Sequence, residues 1–276
     1  MAKFSKDELV KKRNNIIAQY GEWTSHNIDL GYGLHTCDKD VGDMWRVDFY
    51  KKILRDFHFD RWEQVKMADL GCLEGLFAIE FAKLGAETVG IEGRYTNLVK
   101  AQFVKDVIGL KKCTFHQDDV RNFTIEKYGN FDIVLCCGIF YHLDAQSALE
   151  LIHSISKILS KGGILILDTH IAIDDLDPKD NPFKLGKILS IEYDGDIFDG
   201  RNYKEFESNA TVAEKEKALW SSLDNAASFW FTRKSLYRAL KKYGFDTVYE
   251  NLHDPNVEVS KIDRLVFISV ENSAFN

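Results

Sequence analysis

Short apolar runs alternate with helical segments between residues 65 and 170, and this alternation limits the possible folds more than any other feature. The pattern predicts strands at 65–70, 87–92, 113–117, 131–138 and 162–170, and helices at 76–84, 95–108 and 145–159. Such alternation is typical of a mostly parallel sheet with helices on both faces. The runs IVLCC and ILIL are apolar throughout, as in strands buried on both sides. The sequence therefore predicts an α/β fold with a Rossmann-like, doubly wound sheet.

The flanking sequence extends this sheet and adds an N-terminal region. Ser5 and Glu8 have the spacing of a capping box, which predicts a helix to about Tyr20, and a second helix is predicted at about 44–57. A last helix is predicted at 232–243, followed by strands at 245–251 and 264–270. The connection between these two strands is too short for a helical crossover, which favours an antiparallel last strand in a seven-stranded sheet. We expect one main domain at 61–276 with an insertion at about 171–230, preceded by N-terminal helices and a lid loop at 1–60, rather than two independent domains.

Charge and cysteine content narrow the possible partners and the compartment. The net charge of −7 argues against a general binder of nucleic acid or anionic membranes, because phosphate affinity needs concentrated positive charge. The five cysteines include no CxxC and no Cys/His metal spacing, which fits a reducing cytoplasm. No signal peptide is recognisable at the charged N-terminus, and no apolar run approaches the 18 residues of a membrane span. We therefore expect a cytoplasmic protein with no membrane partner, and the oligomeric state is left open.

The segment at 65–85 carries the strongest sign of a ligand. Its first strand ends at Asp69, a turn containing Gly71 follows, and a helix begins near Gly75. Ligands of open α/β sheets bind beyond the carboxyl ends of the strands, and glycines let a ligand approach the backbone. A tight strand–helix turn without any ligand would have the same G-x-x-x-G spacing.

Acidic residues after the next strands favour the ligand. Glu92 ends the second strand, where a carboxylate can accept hydrogen bonds from ribose hydroxyls, and Asp118 and Asp119 follow the third, where they can bond an exocyclic amine. A dinucleotide is disfavoured, because Leu73 replaces the second glycine of G-x-G-x-x-G and Glu74 brings negative charge near a pyrophosphate.

At this point the sequence resembles the class I S-adenosylmethionine-dependent methyltransferases. The resemblance covers about residues 60–170 and rests on five ordered motifs: ADLGCLEG, VGIEGR, FHQDDVRNF, FDIVLCCGIFYHLD and LSKGGILILDTH. It implies S-adenosylmethionine as the cofactor. The family's first motif usually has a middle glycine, and Leu73 departs from it.

The resemblance also implies the cofactor site, residue by residue. Asp69, Gly71 and Gly75 would surround the methionine part, with Gly138 at the methionyl end. Glu92 would bind the ribose, and Asp119 with Val120 would lie at the adenine. The adjoining members of the same motifs complete this set: Cys72, Gly93, Arg94 and Asp118.

Catalysis requires local reasoning, because the family has no universal catalytic residue. Tyr141 and His142 follow the fourth strand, and an imidazole is suited to taking a proton near neutral pH. His142 is equally compatible with packing or capping the next turn. Asp168 and His170 share one face of the fifth strand, either as a base and its orienting group, as an acceptor contact, or as a strand end bonded to its loop. No short-range ligand pair supports a metal site, and we predict none.

The segment at 21–46 is a candidate cofactor lid. It is long and rich in aromatic residues, and Arg46 can meet the cofactor carboxylate. An N-terminal extension that packs its aromatic side chains on the core would look the same in sequence.

We predict methyl transfer to an O or N atom of a small molecule. Residues 168–230 carry 14 acidic and 7 basic side chains, so that the excess charge lies in the segment expected to cover the acceptor. This favours a neutral or cationic acceptor and makes nucleic acid an unlikely partner. The alternatives are a tRNA-modifying methyltransferase, an NAD-dependent oxidoreductase and a non-catalytic module that binds the cofactor.

Overall fold

The computed structural model describes residues 4–37, 44–173, 181–207, 209–252 and 263–272. It divides into two compact units, Met1–Asp119 and Val120–Asn276. The domain boundary predicted near residue 60 remains a prediction. Parts of the predicted lid segment (38–43) and of the predicted insertion (174–180 and 208) lie outside the described residues.

The first unit contains a three-stranded parallel sheet with helices beside it. Its elements are, in chain order, α1 (Lys6–Tyr20), β1 (Asp29–Gly31), β2 (Leu34–His35), α2 (Met44–Asp56), β3 (Lys66–Leu70), α3 (Leu76–Lys83), β4 (Glu87–Glu92), α4 (Tyr95–Ile108) and β5 (Cys113–Gln117). Strand β4 pairs in parallel with both β3 and β5. The predicted capping box of α1 is present, because the Ser5 side chain accepts a hydrogen bond from the Glu8 N–H and the Glu8 side chain accepts one from Ser5.

Two glycines let the chain pack tightly around the β3–α3 turn. Gly75 precedes α3 with a positive φ of 83°, and a Cβ built on it would lie 2.7 Å from the ring of Phe115. A Cβ on Gly90, in β4, would lie 2.5 Å from the same ring and 2.8 Å from Sγ of Cys72. Larger residues at either position would displace Phe115, so the turn depends on both glycines.

The second unit contains parallel and antiparallel strands. Its elements are α5 (Ile125–Tyr128), β6 (Phe131–Cys137), α6 (Ala145–Ile158), β7 (Leu159–His170), β8 (Ile188–Tyr193), β9 (Asp196–Lys204), α7 (Val212–Lys217), β10 (Ala227–Phe231), α8 (Arg233–Lys242), β11 (Phe245–Leu252) and β12 (Arg264–Glu271). Strands β6 and β7 are parallel, whereas β12 is antiparallel to both β7 and β11. The seven-stranded order is β11-β12-β7-β6-β3-β4-β5, which confirms the predicted Rossmann-like sheet with an antiparallel last strand.

Two regions are more regular than the sequence suggested. The predicted loop at 21–42 contains the short hairpin β1–β2, and the irregular segment at 171–230 contains helix α7 and an antiparallel sheet of order β10-β9-β8. Strand β8 was missed because its apolar and polar residues do not alternate between a buried and an exposed face. No helix in the described ranges is long and apolar enough to cross a membrane.

Candidate functional site

Asp69 lies near the carboxyl end of β3 and is buried. Its Oδ2 accepts a hydrogen bond of 3.2 Å from the N–H of Ala78, in the first turn of α3. Burial raises the pKa of Asp69 to about 7, opposed by that hydrogen bond and by the positive charge of Arg46. Arg46 is itself buried on α2, with its guanidinium carbon 5.1 Å from the ring centroid of Phe77. A carboxylate and a cation predicted for the cofactor site are thus close enough to interact within the first unit.

The raised pKa of Asp69 makes stability depend on pH. Folding favours the protonated carboxyl, so its contribution is complete below about pH 4 and is lost as the pH rises to about 7. We expect the free energy of unfolding to fall in this window with a slope of at most about 1.4 kcal/mol per pH unit from this group. Urea denaturation of wild type and Asp69→Asn between pH 4 and 8 measures the difference. Identical pH slopes for the two proteins would contradict the prediction.

Glu92 connects the end of β4 to the loop after β3. Its Oε2 accepts a hydrogen bond of 2.9 Å from the N–H of Leu73, and its Oε1 accepts bonds from the N–H of Arg94 and from Nδ2 of Asn97. Burial raises the pKa of Glu92, whereas the bonds to Arg94, Leu73 and Asn97 lower it. Because these donors hold both carboxylate oxygens, Glu92 has a fixed orientation.

Leu73 has the backbone conformation of a glycine. Its φ is 49°, and the flanking Gly71 and Gly75 also have positive φ values, of 63° and 83°. The position where the family's motif has its middle glycine therefore keeps the left-handed geometry, although a side chain is present. The adjacent Cys72 is buried, and its thiol pKa lies well above the usual range because of that burial. Cys72 therefore lines this loop as a neutral, apolar group.

Glu74 binds the N-terminal segment instead of facing a ligand. Its carboxylate accepts hydrogen bonds from the N–H groups of Thr24 and His26 and pairs with Nζ of Lys100 at 3.1 Å. Both charged side chains are buried. Lys100 also donates to the carbonyl of Glu22 at 2.5 Å. The charge of Glu74 is therefore paired with that of Lys100. Repulsion by Glu74 is no longer a reason to disfavour a pyrophosphate at this loop.

His26 caps helix α3 from a distant part of the chain. Its Nδ1 accepts a hydrogen bond of 3.2 Å from the N–H of Leu76, the first residue of α3. Trp23 is also buried, with its ring 5.9 Å from that of Phe103. This part of the candidate lid thus packs on the first unit, as in the alternative of an N-terminal extension, and a lid role for the segment remains a prediction.

The other predicted cofactor residues lie at the ends of β4 and β5 and after β6. Asp118 donates its N–H to the carbonyl of Glu92, and Asp119 is half-buried. Gly93 accepts a hydrogen bond from Gln117. In the second unit, Val120 is buried, and Gly138 has a positive φ of 90° and donates its N–H to Asp168.

His142 is bonded to a carboxylate that the sequence did not reveal. Its Nδ1 lies 2.7 Å from Oε1 of Glu205, whose side chain is completely buried. The same carboxylate accepts hydrogen bonds from the Ser228 hydroxyl and the Ser222 N–H. Glu205 follows β9, 63 residues beyond His142. It was missed because nothing in the local sequence links an acidic residue of the insertion to this histidine.

Tyr141 and His170 belong to an aromatic group in the second unit. Their ring centroids are 4.6 Å apart, and His170 stacks on Trp230 at 4.5 Å with an angle of 13° between the planes. Asp168 accepts a hydrogen bond of 2.9 Å from Nε of Arg264 on the neighbouring strand β12. Asp168 is therefore held by an arginine, and its role as the orienting group of His170 remains a prediction. Among the described residues, no group of three or more His, Cys, Asp or Glu has the arrangement of a metal site.

Comparison with known proteins gives the family. A family model described as a methyltransferase domain matches residues 50–250, more than half of the chain. The chain belongs to this methyltransferase family. The predicted methyltransferase family is confirmed, and S-adenosylmethionine stays the predicted cofactor.

Curated relatives agree with this assignment over part of their length. The putative methyltransferase YqeM of Bacillus subtilis (strain 168) is 29% identical over 132 residues, which cover 44% of this chain and 52% of YqeM. A ubiquinone biosynthesis O-methyltransferase of Proteus mirabilis (strain HI4320) is 28% identical over 104 residues, covering 38% and 41%. The matches thus span about half of the relatives' length or less.

Solved structures show the same fold over nearly the whole chain. The N-terminal domain of EvdMO1, crystallised in the presence of SAH and D-fucose, has a TM-score of 0.67 at 19% identity and covers 98% of this chain and 97% of its own. A methyltransferase from Clostridium acetobutylicum ATCC 824 has a TM-score of 0.53 at 15% identity, covering 83% of this chain and 100% of its own.

Proposed function

We propose that this methyltransferase transfers a methyl group to a hydroxyl oxygen of a small-molecule acceptor. The observation that carries the proposal is the hydrogen bond between His142 and the buried carboxylate of Glu205. An alcohol or phenol is a weak nucleophile until its proton is removed, so a general base favours an oxygen acceptor over a neutral amine.

Glu205 prepares His142 for this task. Because the Glu205 carboxylate accepts a hydrogen bond from Nδ1–H of His142, the neutral imidazole keeps its lone pair on Nε2. The hydroxyl of Ser228 and the N–H of Ser222 hold Glu205 in its orientation. Nε2 of His142 takes the proton from the hydroxyl group of the substrate, and Glu205 stabilises the resulting imidazolium.

When bound, S-adenosylmethionine supplies a methyl group on a sulfonium, so that an O–C bond forms while a C–S bond breaks and its electron pair stays on sulfur. The residues proposed to hold the cofactor fit its polar groups. Glu92 accepts three hydrogen bonds, and a carboxylate has about four acceptor positions, which leaves one for a ribose hydroxyl. Beside it, the buried Oδ1 of Asn97 accepts no hydrogen bond from the described residues.

The remaining cofactor contacts are proposed from position and chemistry. Gly71 and Gly75 are proposed by position to border the methionine part, and Arg46 and the ionised form of Asp69 have charges that complement its carboxylate and ammonium. Asp119 and Val120 are proposed to contact the adenine of the cofactor.

Two kinds of observation support a small acceptor. Curated relatives include ubiquinone biosynthesis O-methyltransferases, and the EvdMO1 domain was crystallised with a sugar present. The acidic excess at 168–230 favours a neutral or cationic acceptor, and we propose that this segment covers it.

The acceptor class is tested by supplying methyl-labelled S-adenosylmethionine with separate pools of hydroxyl compounds, amines, carboxylic acids and transfer RNA. We expect label in the hydroxyl pool, as a methyl ether identified by mass spectrometry. Label in RNA alone, or in amines alone, would overturn the proposal.

The cofactor residues are tested by calorimetric titration with S-adenosylmethionine. We expect Glu92→Ala to weaken binding by about 10- to 100-fold, since it removes a charged hydrogen-bond acceptor worth roughly 1.5–3 kcal/mol. Glu87→Ala, at the exposed beginning of the same strand, is the control and should bind like wild type. Unchanged affinity of Glu92→Ala would contradict the assignment of this residue.

A further inference from the structure

Five aromatic side chains of the second unit form one continuous cluster. We call it the aromatic wall, and its members are Tyr141, His170, Phe183, Tyr203 and Trp230. Trp230 is its centre, because His170 and Tyr203 both stack on the indole, at 4.5 and 5.1 Å. The ring of Phe183 lies 5.2 Å from the indole and 5.3 Å from His170.

The wall is rigid at its centre and accessible at its rim. Trp230 is only 2% exposed, and its Nε1 donates a hydrogen bond of 3.1 Å to the carbonyl of Tyr141. Phe183 is 37% exposed, whereas Tyr141, His170 and Tyr203 are half-buried. The rim therefore offers accessible aromatic surface, the kind of lining that small-molecule sites use.

The wall begins beside the proposed base. Tyr141 and His142 are adjacent on the short 3-10 helix at Phe140–His142, and their ring centroids are 4.3 Å apart. A small molecule whose hydroxyl reaches His142 therefore has the ring of Tyr141 next to it, followed by His170 and Phe183. Because these aromatic rings present flat apolar faces, they bind the flat or apolar face of a ring better than they bind a flexible chain.

The charges at the wall disfavour an anionic ligand. The guanidinium of Arg264 lies 5.8 Å from the ring centroid of Tyr141, but its charge is paired with buried Asp168. Asp263 lies 3.6 Å from Nδ1 of His170. An anionic ligand would therefore meet no unpaired positive charge from Arg264, while a carboxylate stands close by.

We propose that the aromatic wall binds the ring of the acceptor, and that the acceptor is a ring compound with a free hydroxyl and no negative charge. The inference rests on the proposed function, because His142 defines where the hydroxyl lies. Sugars and phenols share this chemistry, since both present a hydroxyl beside a face that packs on aromatic side chains.

Equilibrium binding tests the wall without requiring methyl transfer. Protein loaded with SAH is titrated by calorimetry with catechol, with D-fucose and with the acyclic polyol erythritol. We expect at least one ring compound to bind measurably more tightly than erythritol, and the preferred ring distinguishes a phenol from a sugar. Equal binding of all three probes, or binding of none, would overturn the proposal.

Variants connect this binding to the wall. We expect Phe183→Ala and Tyr203→Ala to weaken binding of the preferred ring by about 5- to 10-fold, consistent with the loss of one aromatic contact, without changing the affinity for SAH. Tyr249→Ala, at an aromatic residue on β11 that is 45% exposed and outside both the wall and the segment at 168–230, is the control. Unchanged ring binding in both wall variants would overturn the assignment. His142→Ala separates the two proposals. If this variant still binds the ring and turns over normally, His142 is not the general base, but the aromatic wall remains the binding site of the ring.

Discussion

Replacing His142 by alanine lowers kcat for methyl transfer by about 10²- to 10⁴-fold, the range expected when a positioned general base is lost. The affinity for S-adenosylmethionine stays at the wild-type value, because His142 is hydrogen-bonded to Glu205 and Asn225 within the second unit rather than to any proposed cofactor residue. Single-turnover rates with the acceptor found by the labelling screen measure the effect, and calorimetry measures the cofactor affinity. A variant that keeps full kcat at neutral pH would show that the acceptor needs no base.

Glu205→Gln gives a second, independent test of the pair formed by His142 and Glu205. The amide can still occupy the space between Ser222, Ser228 and His142, but it carries no charge to stabilise an imidazolium. We expect a smaller loss of kcat than in the alanine variant of His142, a changed pH profile, and partial recovery in Glu205→Asp. Glu207→Gln, at a residue whose side chain is 73% exposed, should leave the profile unchanged. A purely structural role of Glu205 would lower stability without moving the pH profile.

The largest effect on stability is expected at the buried pair of Glu74 and Lys100. Glu74→Ala should lower the free energy of unfolding by about 3–5 kcal/mol, because it leaves the ammonium of Lys100 buried without its counterion. It also removes the acceptor for the N–H groups of Thr24 and His26. Urea denaturation measures the change, and Lys83→Ala, at a more exposed ion pair on α3, should change stability by less than about 1 kcal/mol.

A double-mutant cycle separates the ion pair from the backbone hydrogen bonds. Lys100→Met alone leaves the Glu74 carboxylate buried, whereas the double variant Glu74→Gln and Lys100→Met removes both charges and keeps an acceptor for Thr24 and His26. We expect the double variant to lose less stability than the sum of the losses in the single variants Glu74→Gln and Lys100→Met. Simple additivity would mean that the two charges do not stabilise each other.

The sequence predicted those parts of the fold that depend on neighbouring residues. Strands β4 and β5 and helix α4 have the predicted bounds, because apolar runs and glycine turns are local signals. The loop at 71–75 could also be recognised, since its glycines and the position of Glu92 follow from the order of strands and helices. Leu73 adds a physical explanation: the backbone there is left-handed, so the glycine usual in the family reflects a conformation that this chain adopts with a leucine.

Long-range pairing explains what the sequence did not predict. Glu205 pairs with His142 across 63 residues, and Glu74 pairs with Lys100 across 26. From its position in the sequence, Glu74 was expected to repel a pyrophosphate. In the folded chain its charge is neutralised by Lys100, which lies in the middle of α4. One local signal was available: Lys100 stands among apolar residues in its helix, where an unpaired lysine would be costly to bury.

The position of β12 has a consequence for biosynthesis. This strand is later in the chain than both of its neighbours, β7 and β11, and lies between them in the sheet. While the chain is being made, β7 and β11 therefore emerge with open edges that no earlier segment can occupy in the native order. Premature termination before β12 would leave two unpaired edges on a nascent product, a state prone to aggregation and to capture by chaperones. The second unit can therefore complete its native sheet only after β12 has been made.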